Sequence, residues 1–248
     1  MDSAQELEHL ARISANSLYA AGPSGASVEH SFGIFSRFIQ GANILEMGPA
    51  EGVMTAHLAR LGKQLTAVEG ALNFCEDLRR RFPGVTVVHS LFEEFQPPRP
   101  FDNIILGHVL EHVADPVAVV RQAASWLVPG GRILAAVPNA RSLHRQAAVL
   151  LGLLRSEDEL NELDRHHGHR RVFNPESFRQ CFLQAGLEIE FFGGYWIKPV
   201  SNRQIEETWT PAMLEAFMRL GERYPDIAAE IVVVARRGAA GRQPGGDA

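Results

Sequence analysis

The chain contains 248 residues, of which 46% are hydrophobic, and carries a formal net charge of −5 at pH 7. This length and apolar content are enough for one sizeable core, while the acidic balance argues against a nucleic-acid binder that neutralises phosphates. No apolar run approaches the roughly 18–20 residues that cross a bilayer, and the N-terminus lacks a signal-peptide pattern. We therefore expect a cytoplasmic protein without membrane contact.

The first 40 residues are predicted to form a helical cap. The segment from Ser3 to Glu6 has the pattern of a capping box, and apolar residues follow it at near-helical spacing. The Gly-Pro-Ser-Gly segment at 22–25 should break this helix. A second helix, rich in phenylalanine, should end before Gly41.

Strand and helix patterns alternate from residue 43 to residue 137. The predicted strands occupy 43–47, 65–69, 85–88, 102–106 and 132–137. The predicted helices between them occupy 52–61, 71–82 and a segment that begins after Asp115 and ends at Gly130. Such alternation predicts an α/β fold, with a mostly parallel sheet and right-handed crossovers.

Residues 140–173 interrupt this alternation and are predicted to be an insertion that lies over the ligand cleft as a lid. We expect an apolar helix at 147–154, an acidic helix at 157–164 and a cationic loop from Arg165 to Arg171. Further strands are expected near 188–192 and 231–235, with a helix at 211–221 between them. The glycine-rich segment 238–248 should be a disordered tail, so that residues 1–237 form a single domain.

The stretch from Asn43 to Gly52 predicts a ligand-binding corner. A buried strand runs into a glycine-containing turn and then into a helix, whose first N–H groups are free to bind a ligand. The second strand ends on Glu69, about 20 residues after Gly48, where a carboxylate can accept both hydroxyls of a ribose. A dinucleotide fingerprint would need glycine at positions 48, 50 and 53, but the chain has Ala50 and Val53.

The pattern Glu46-x-Gly48-x-Ala50-x-Gly52 instead resembles motif I of the class I S-adenosylmethionine-dependent methyltransferases, with alanine at the middle glycine. Later segments follow in the order of that family: Phe101 to His108, then Glu111-His112, then Leu127 to Gly131. The resemblance covers residues 40–140, and the last part of the chain also resembles the family. It implies a Rossmann-like sheet of seven strands, mostly parallel, with helices on both faces, an antiparallel last strand, an N-terminal helical cap and the lid insertion.

The resemblance also implies the cofactor and the residues that hold it. Gly48, Ala50 and Gly52 should approach the methionine part of S-adenosylmethionine, Glu69 its ribose, and Leu91 and Phe92 its adenine. The full set of expected cofactor-binding residues is Glu46, Gly48, Ala50, Gly52, Glu69, Gly70, Ser90, Leu91, Phe92, Gly107 and His108.

Methyl transfer to a protonated oxygen or nitrogen needs a base near neutral pH, and histidine suits that role. His108 is the first candidate because it follows the fourth strand, although it could instead only wall the methionine end of the cofactor. His166, His167 and His169 in the cationic loop are the other candidates. The residues expected to contact the substrate are Tyr19, His30, Asn139, His144, Arg170 and Arg171.

A second hypothesis concerns a metal ion. Some relatives in the methyltransferase family, including those of the ubiquinone pathway, bind a divalent cation through Glu-x-x-Glu-His and a later histidine. Here His108 stands at the first glutamate, which leaves His108, Glu111 and His112 as the candidate ligands. The alternative is that Glu111 and His112 are structural, as in metal-free members of the family.

The sequence thus predicts an enzyme that transfers a methyl group from S-adenosylmethionine to an oxygen or nitrogen of a small molecule, such as an anionic metabolite, a sugar or a natural-product intermediate. It should work as a monomer or homodimer without a nucleic-acid partner. Two alternatives remain: a catalytically silent module that binds the cofactor, and a nicotinamide-dependent reductase.

Overall fold

The structure is a computed structural model and describes residues 3–15, 17 and 20–238. Within these residues one sheet contains seven strands in the order β3-β2-β1-β4-β5-β7-β6. Strand β7 runs antiparallel to both of its neighbours, and the other pairings are parallel. The strands are β1 (Asn43–Met47), β2 (Gln64–Glu69), β3 (Thr86–His89), β4 (Phe101–Gly107), β5 (Leu127–Pro138), β6 (Glu188–Tyr195) and β7 (Glu230–Arg236). The predicted fold class is confirmed.

Helices cover both faces of the sheet because successive strand residues point to opposite sides. The helices are α1 (Ser3–Ser14), α2 (Gly22–Phe35), α3 (Val53–Ala59), α4 (Leu72–Arg81), α5 (Pro116–Ser125), α6 (Leu143–Leu150), α7 (Glu162–His166), α8 (Pro175–Gln184), α9 (Asn202–Thr208) and α10 (Pro211–Gly221). Ile104 packs in one apolar cluster with residues of α5 and α8, whereas Ile105 packs in the other with residues of α2 and α3. Among the described residues, none of the helices combines the length and apolar character needed to cross a bilayer.

Two helix predictions near the chain start and in the centre were wrong in their boundaries. The Gly-Pro-Ser-Gly segment does not lie between helices but forms the first turn of α2, where Pro23 needs no N–H partner, and α2 ends at Phe35. Helix α5 ends at Ser125 rather than at Gly130. The residues that follow it extend β5, because Leu127 pairs with Phe101 on β4.

The segment 140–173 leaves the sheet and returns to it at one point. Asn139 and Phe173 form a β-bridge, and Ala140 N donates to Phe173 O at 2.7 Å. Inside the segment, the predicted acidic helix at 157–164 was wrong. The buried guanidinium of Arg145 binds the carbonyl oxygens of Glu157 and Glu159, which holds that stretch in a non-helical form before α7.

Candidate active site

The carboxyl edge of the sheet carries a cleft of about 340 Å³. It is lined by the turn after β1, the ends of β2 and β4, the segment after β3 and one face of α1. Of the expected cofactor-binding residues, the lining includes Glu46, Gly48, Ala50, Glu69, Gly70, Ser90, Leu91, Phe92, Gly107 and His108. Sequence reasoning therefore located the cleft, but it missed the individual α1 residues that cover it: Ser3, Glu6, His9, Leu10 and Ile13.

The turn after β1 has a left-handed backbone at Gly48 (φ 66°), Ala50 (φ 46°) and Gly52 (φ 77°). Gly48 needs to be small, since an added Cβ would lie 3.0 Å from Val109 Cγ2 across the cleft. Gly52 does not line the cleft. It caps α3, and an added Cβ would lie 2.6 Å from Leu78 Cδ2 on α4.

Glu69, the last residue of β2, accepts hydrogen bonds from the turn after β1 and from the segment that follows β2. Its Oε2 accepts from Ala50 N at 3.1 Å, and its Oε1 accepts from Ala71 N at 2.8 Å. Burial raises the pKa of Glu69, while these backbone N–H groups act in the opposite direction. Each carboxylate oxygen keeps a further lone pair, so Glu69 can hold the turn and still accept a ribose hydroxyl.

Glu46 is the acidic residue of the motif and is buried below the turn. Its Oε2 accepts from Thr55 Oγ1 on α3 at 2.7 Å. Burial raises the pKa of Glu46 to about 8, so the side chain is mostly protonated at neutral pH. A neutral carboxyl group can donate a hydrogen bond towards the cleft that it lines.

His108 follows β4 with a left-handed backbone (φ 58°). Its Nδ1 lies 3.5 Å from Glu111 Oε1 and 3.7 Å from Glu230 Oε2, and its Nε2 lies 3.4 Å from Tyr195 Oη. Burial alone would lower the pKa of His108, but the carboxylates of Glu230 and Glu111 outweigh it and raise the pKa. Both ring nitrogens thus face protein groups, an arrangement that fits a wall of the cleft better than a general base.

The loop after α7 brings His169 beside the end of β4. Arg170 N donates to Glu111 O at 2.8 Å, and the ring centroids of His169 and His112 lie 4.8 Å apart, edge to face. One ligand atom from each of Glu111, His112 and His169 lies within 4.8 Å of the others. The structure thus groups His169 with Glu111 and His112, where the sequence prediction had His108 as the third ligand.

Glu111 and His112 have the protonation states that a divalent cation requires. Burial raises the pKa of Glu111, but His108, His112 and His169 outweigh it and lower the pKa, so a carboxylate is present. Glu111 Oε1 lies 3.5 Å from His108 Nδ1, and Oε2 has no hydrogen-bond partner among the described residues. Burial lowers the pKa of His112 to about 4, which keeps this imidazole neutral.

The carboxylate of Asp164 lies beside the ring of His169 and orients it. His169 Nδ1 lies 3.3 Å from Asp164 Oδ1, and the other Asp164 oxygen accepts from Arg145 Nη1 at 3.0 Å. A ligating histidine usually gives its second ring nitrogen to a carboxylate in this way, which fixes the tautomer and turns the first nitrogen towards the metal. The chemistry of the donor set therefore fits a divalent cation.

Several expected site residues lie outside the cleft lining. Asn139 donates to the carbonyl oxygens of Asp226 and Ala228, and Arg171 donates to those of Leu110 and Ala114. These contacts fix the backbone rather than a ligand.

Other expected residues take up separate positions. His30 packs on Tyr195 and bonds to Glu222 at 3.1 Å, while His166 and His167 lie on α7 and at its end. Arg170 lines the cleft and pairs with Glu6 of α1, with both contacts at 2.8 Å. Tyr19 and the tail beyond residue 238 lie outside the described residues.

Residues 28–190, more than half of the chain, match a family model described as a methyltransferase domain. The chain belongs to the S-adenosylmethionine-dependent methyltransferases of class I. The predicted family, cofactor and enzyme class are confirmed, and the nicotinamide-dependent reductase is set aside.

Relatives of this methyltransferase include a ubiquinone biosynthesis O-methyltransferase from Xanthomonas euvesicatoria pv. vesicatoria (strain 85-10). It is 30% identical over 172 residues, which cover 66% of this chain and 70% of that protein. The predicted activity, methyl transfer to an oxygen or nitrogen of a small molecule, is confirmed at that level.

Solved structures with the same fold include the N-methyltransferase NodS from Bradyrhizobium japonicum WM9 in complex with S-adenosyl-L-homocysteine. Its TM-score is 0.60 at 15% identity, over 96% of this chain and 99% of that one. The CcbJ methyltransferase from Streptomyces caelestis has a TM-score of 0.62 at 17% identity, over 93% and 96% of the two chains. At these identities the likeness concerns the fold alone.

Proposed function

We propose that this methyltransferase acts on a hydroxyl oxygen of a small molecule and that Glu111, His112 and His169 hold a divalent cation beside the acceptor. The grouping of these three ligand atoms, next to the cleft that His112 lines, carries the proposal. The relatives named as O-methyltransferases of ubiquinone biosynthesis support oxygen as the acceptor atom. A hydroxylated ring with two neighbouring oxygens suits a cation with three protein ligands and open positions.

The chemistry divides between the cofactor, the acceptor and the protein. The acceptor oxygen attacks the methyl carbon, a C–O bond forms, and the C–S bond breaks with its electron pair returning to sulfur. A divalent cation held by Glu111, His112 and His169 would lower the pKa of the acceptor hydroxyl, so that its proton could pass to solvent before the attack. The step would then not need a general base, a role for which His108 is poorly placed because both of its ring nitrogens face protein groups.

The residues of the chain supply alignment and shelter from water. Glu69 and the turn at Gly48 hold the nucleoside and methionine parts, and Leu91 and Phe92 pack on the adenine. The ring of His108 forms the wall at the methyl end. Helix α1, paired to Arg170 through Glu6, covers the cleft, and the insertion at 140–173 acts as the lid that selects the acceptor.

The proposal is tested with methyl-labelled S-adenosylmethionine. The protein is treated with a chelator, restored with Mg²⁺, Mn²⁺ or Zn²⁺, and offered catechol, 3,4-dihydroxybenzoate and an extract of its host. We expect label on an oxygen, loss of label with chelator, and recovery with one of the ions. The Glu111→Gln variant should lose activity by at least about tenfold, while the exposed Glu94→Gln control should not.

The other outcomes separate the parts of this proposal. Activity that survives both the chelator and Glu111→Gln would exclude the cation. Label on nitrogen would exclude the oxygen acceptor. Tight cofactor binding with no label in any fraction would favour the catalytically silent module.

The net charge of −5 supports a protein without a nucleic-acid partner, and we propose a cytoplasmic enzyme that works as a monomer or homodimer. Light scattering on the purified protein separates the two assemblies.

A further inference from the structure

Lys198 lies close to the site, and the carboxylates of Glu230 and Asp164 act on its charge from a distance, without a direct contact. It follows β6, is half-buried, and its Nζ lies 4.8 Å from the centre of the Trp196 ring. Within the described part of the chain, its ammonium group makes no ion pair and no hydrogen bond. A partly buried charge without a partner is unfavourable unless a ligand completes it.

The surroundings of Lys198 include the start of the insertion and two residues that contact His108. The carbonyl oxygen of Lys198 accepts from His144 N at 3.1 Å at the start of the insertion. Three residues before it in the chain, Tyr195 contacts His108 Nε2, and Glu230 on the neighbouring strand lies 3.7 Å from His108 Nδ1. Because β7 is antiparallel, its first residue, Glu230, lies at the same edge as the carboxyl ends of the other strands.

Trp196, which packs against this lysine, has an unusual backbone conformation. Its φ is 69°, a left-handed value that costs energy for a bulky residue, and such strain concentrates at functional sites. The kink lets Tyr195 and Trp196 pack in the same apolar cluster, although neighbours on a regular strand face opposite sides. The indole then lies against the ammonium group as a cation–π partner.

The nearby carboxylates do not neutralise Lys198 by contact. Asp164 is held by Arg145 and faces His169, and Glu230 faces His108. Burial raises the pKa of Glu230 and lowers the pKa of Lys198, while the charge of each group acts against the effect of burial on the other. Arg145 is near enough to act on the charge of Lys198, but its guanidinium is held by Asp164 and by the carbonyl oxygens of Glu157 and Glu159. A single lysine suits a carboxylate better than a phosphate, which arginine clusters bind bidentately.

We propose that Lys198, placed by Trp196, binds a carboxylate group of the methyl acceptor, separate from the oxygen that is methylated. The inference rests on the proposed function for the hydroxylated acceptor. It adds that this acceptor is an acid, recognised on the far side of His108 from the cofactor.

Lysine labelling tests this directly, since Lys198 and Lys63 are the two lysines of the sequence. The protein, saturated with S-adenosylhomocysteine and Mg²⁺, is acylated with an amine reagent in the presence of 3,4-dihydroxybenzoate or of catechol, which differ by the carboxylate. We expect the acid to slow acylation of Lys198 by about tenfold or more, with little effect of catechol. Lys63 serves as the internal control in both cases. Equal protection by the two probes, or none, would overturn the proposal.

Two variants provide an independent measurement. Lys198→Met keeps the length and the packing on Trp196 without the charge, and Lys198→Arg keeps the charge. By calorimetry, Lys198→Met should bind 3,4-dihydroxybenzoate about tenfold more weakly while catechol and S-adenosylhomocysteine bind as before. Lys198→Arg should retain most of the preference for the acid, and Lys63→Met all of it.

This binding readout is separate from turnover. If both probes are methylated but bind Lys198→Met and the unaltered protein equally well, this inference fails and the proposed function stands. If the acid preference depends on Lys198 but no hydroxyl is methylated, the proposed function fails and the carboxylate site stands.

Discussion

Three non-glycine residues of the described chain have left-handed backbones: Ala50, His108 and Trp196. Each follows the carboxyl end of a strand, namely β1, β4 and β6. Such conformations are costly for residues with a Cβ, and the surrounding packing has to enforce them. At residue scale the strain thus follows the carboxyl edge of the sheet, where Ala50 and His108 line the cleft and Trp196 follows β6.

Glu69 should contribute to cofactor affinity through both the ribose and the turn. We expect Glu69→Ala to weaken binding of S-adenosylhomocysteine by about 1–3 kcal/mol, because hydroxyls of the ligand and the amides of Ala50 and Ala71 lose their acceptor. Isothermal titration calorimetry measures this, with the exposed Glu94→Ala as control. An unchanged affinity in a folded variant would remove Glu69 from the cofactor site.

Gly52 tests whether a motif glycine serves the ligand or the packing. An added Cβ would combine a left-handed φ with a 2.6 Å approach to Leu78 Cδ2, so Gly52→Ala should lower the free energy of unfolding by about 1–3 kcal/mol. Because Gly52 lies outside the cleft lining, cofactor affinity at low temperature should stay near that of the native protein.

Gly62→Ala is the matched control for Gly52→Ala in urea unfolding. It has a similar φ of 66° but open space around the added Cβ, so it reports backbone strain alone. If the two variants are equally destabilised, the contact with Leu78 has no measurable effect.

At the scale of elements, the insertion 140–173 is organised by buried polar contacts rather than by its own helices. Arg145 holds the carbonyls of Glu157 and Glu159 and pairs with Asp164, and Asp164 in turn faces His169. Asp164 also closes a capping box with Asn161 at the start of α7. The segment therefore brings His169 next to Glu111 and His112, and it brings Gly168 and Arg170 to the lining of the cleft.

We predict that Asp164→Asn lowers the affinity for a divalent cation by about 10–100-fold, since His169 loses the carboxylate that orients it. Calorimetric titration with Mn²⁺ or Zn²⁺ at fixed pH checks this without reference to turnover. Asp158→Asn, on the exposed part of the same segment, is the control. Native affinity in Asp164→Asn would show that His169 is oriented by other contacts.

At the scale of the whole molecule, buried histidines couple stability to pH. Burial, with the charges of Lys198 and Arg145, lowers the pKa of His144 from 6.5 to about 3. The unfolded chain takes up this proton below pH 6.5 whereas the folded protein does not. The contribution to stability is therefore complete above pH 6.5 and is lost as the pH falls towards 3.

Replacing His144 should make the protein less sensitive to acid. Between pH 6 and 4, the unfolding free energy of His144→Gln should fall less steeply than that of the unaltered protein, by up to about 1.4 kcal/mol per pH unit. Urea unfolding at pH 7, 6, 5 and 4 gives both slopes. Parallel slopes would mean that His144 is protonated in the folded state as readily as in the unfolded chain.

The sequence by itself determined the sheet, its cofactor corner and the family, because each of these depends on residues close together in the chain. The spacing of Glu46, Gly48, Gly52 and Glu69 encodes one strand-turn-helix-strand unit, and alternating apolar runs encode the strands around it. Where local patterns competed with tertiary contacts, as in the acidic stretch held by Arg145, the prediction was wrong.

The contacts around His108, Glu111 and Lys198 were decided only by the tertiary structure. His169 joins Glu111 across the return of the insertion, Glu230 reaches His108 because β7 is antiparallel, and Lys198 meets Trp196 through a kink after β6. The first two contacts join residues far apart in the chain, so they are set by how distant elements pack and by which buried charges find partners. Trp196 and Lys198 are only two residues apart, but the left-handed backbone at Trp196 was not readable from the sequence. Glu111 and His112 are part of a motif that is visible in the sequence. His169, which would complete the proposed cation site, is brought next to them only by the fold.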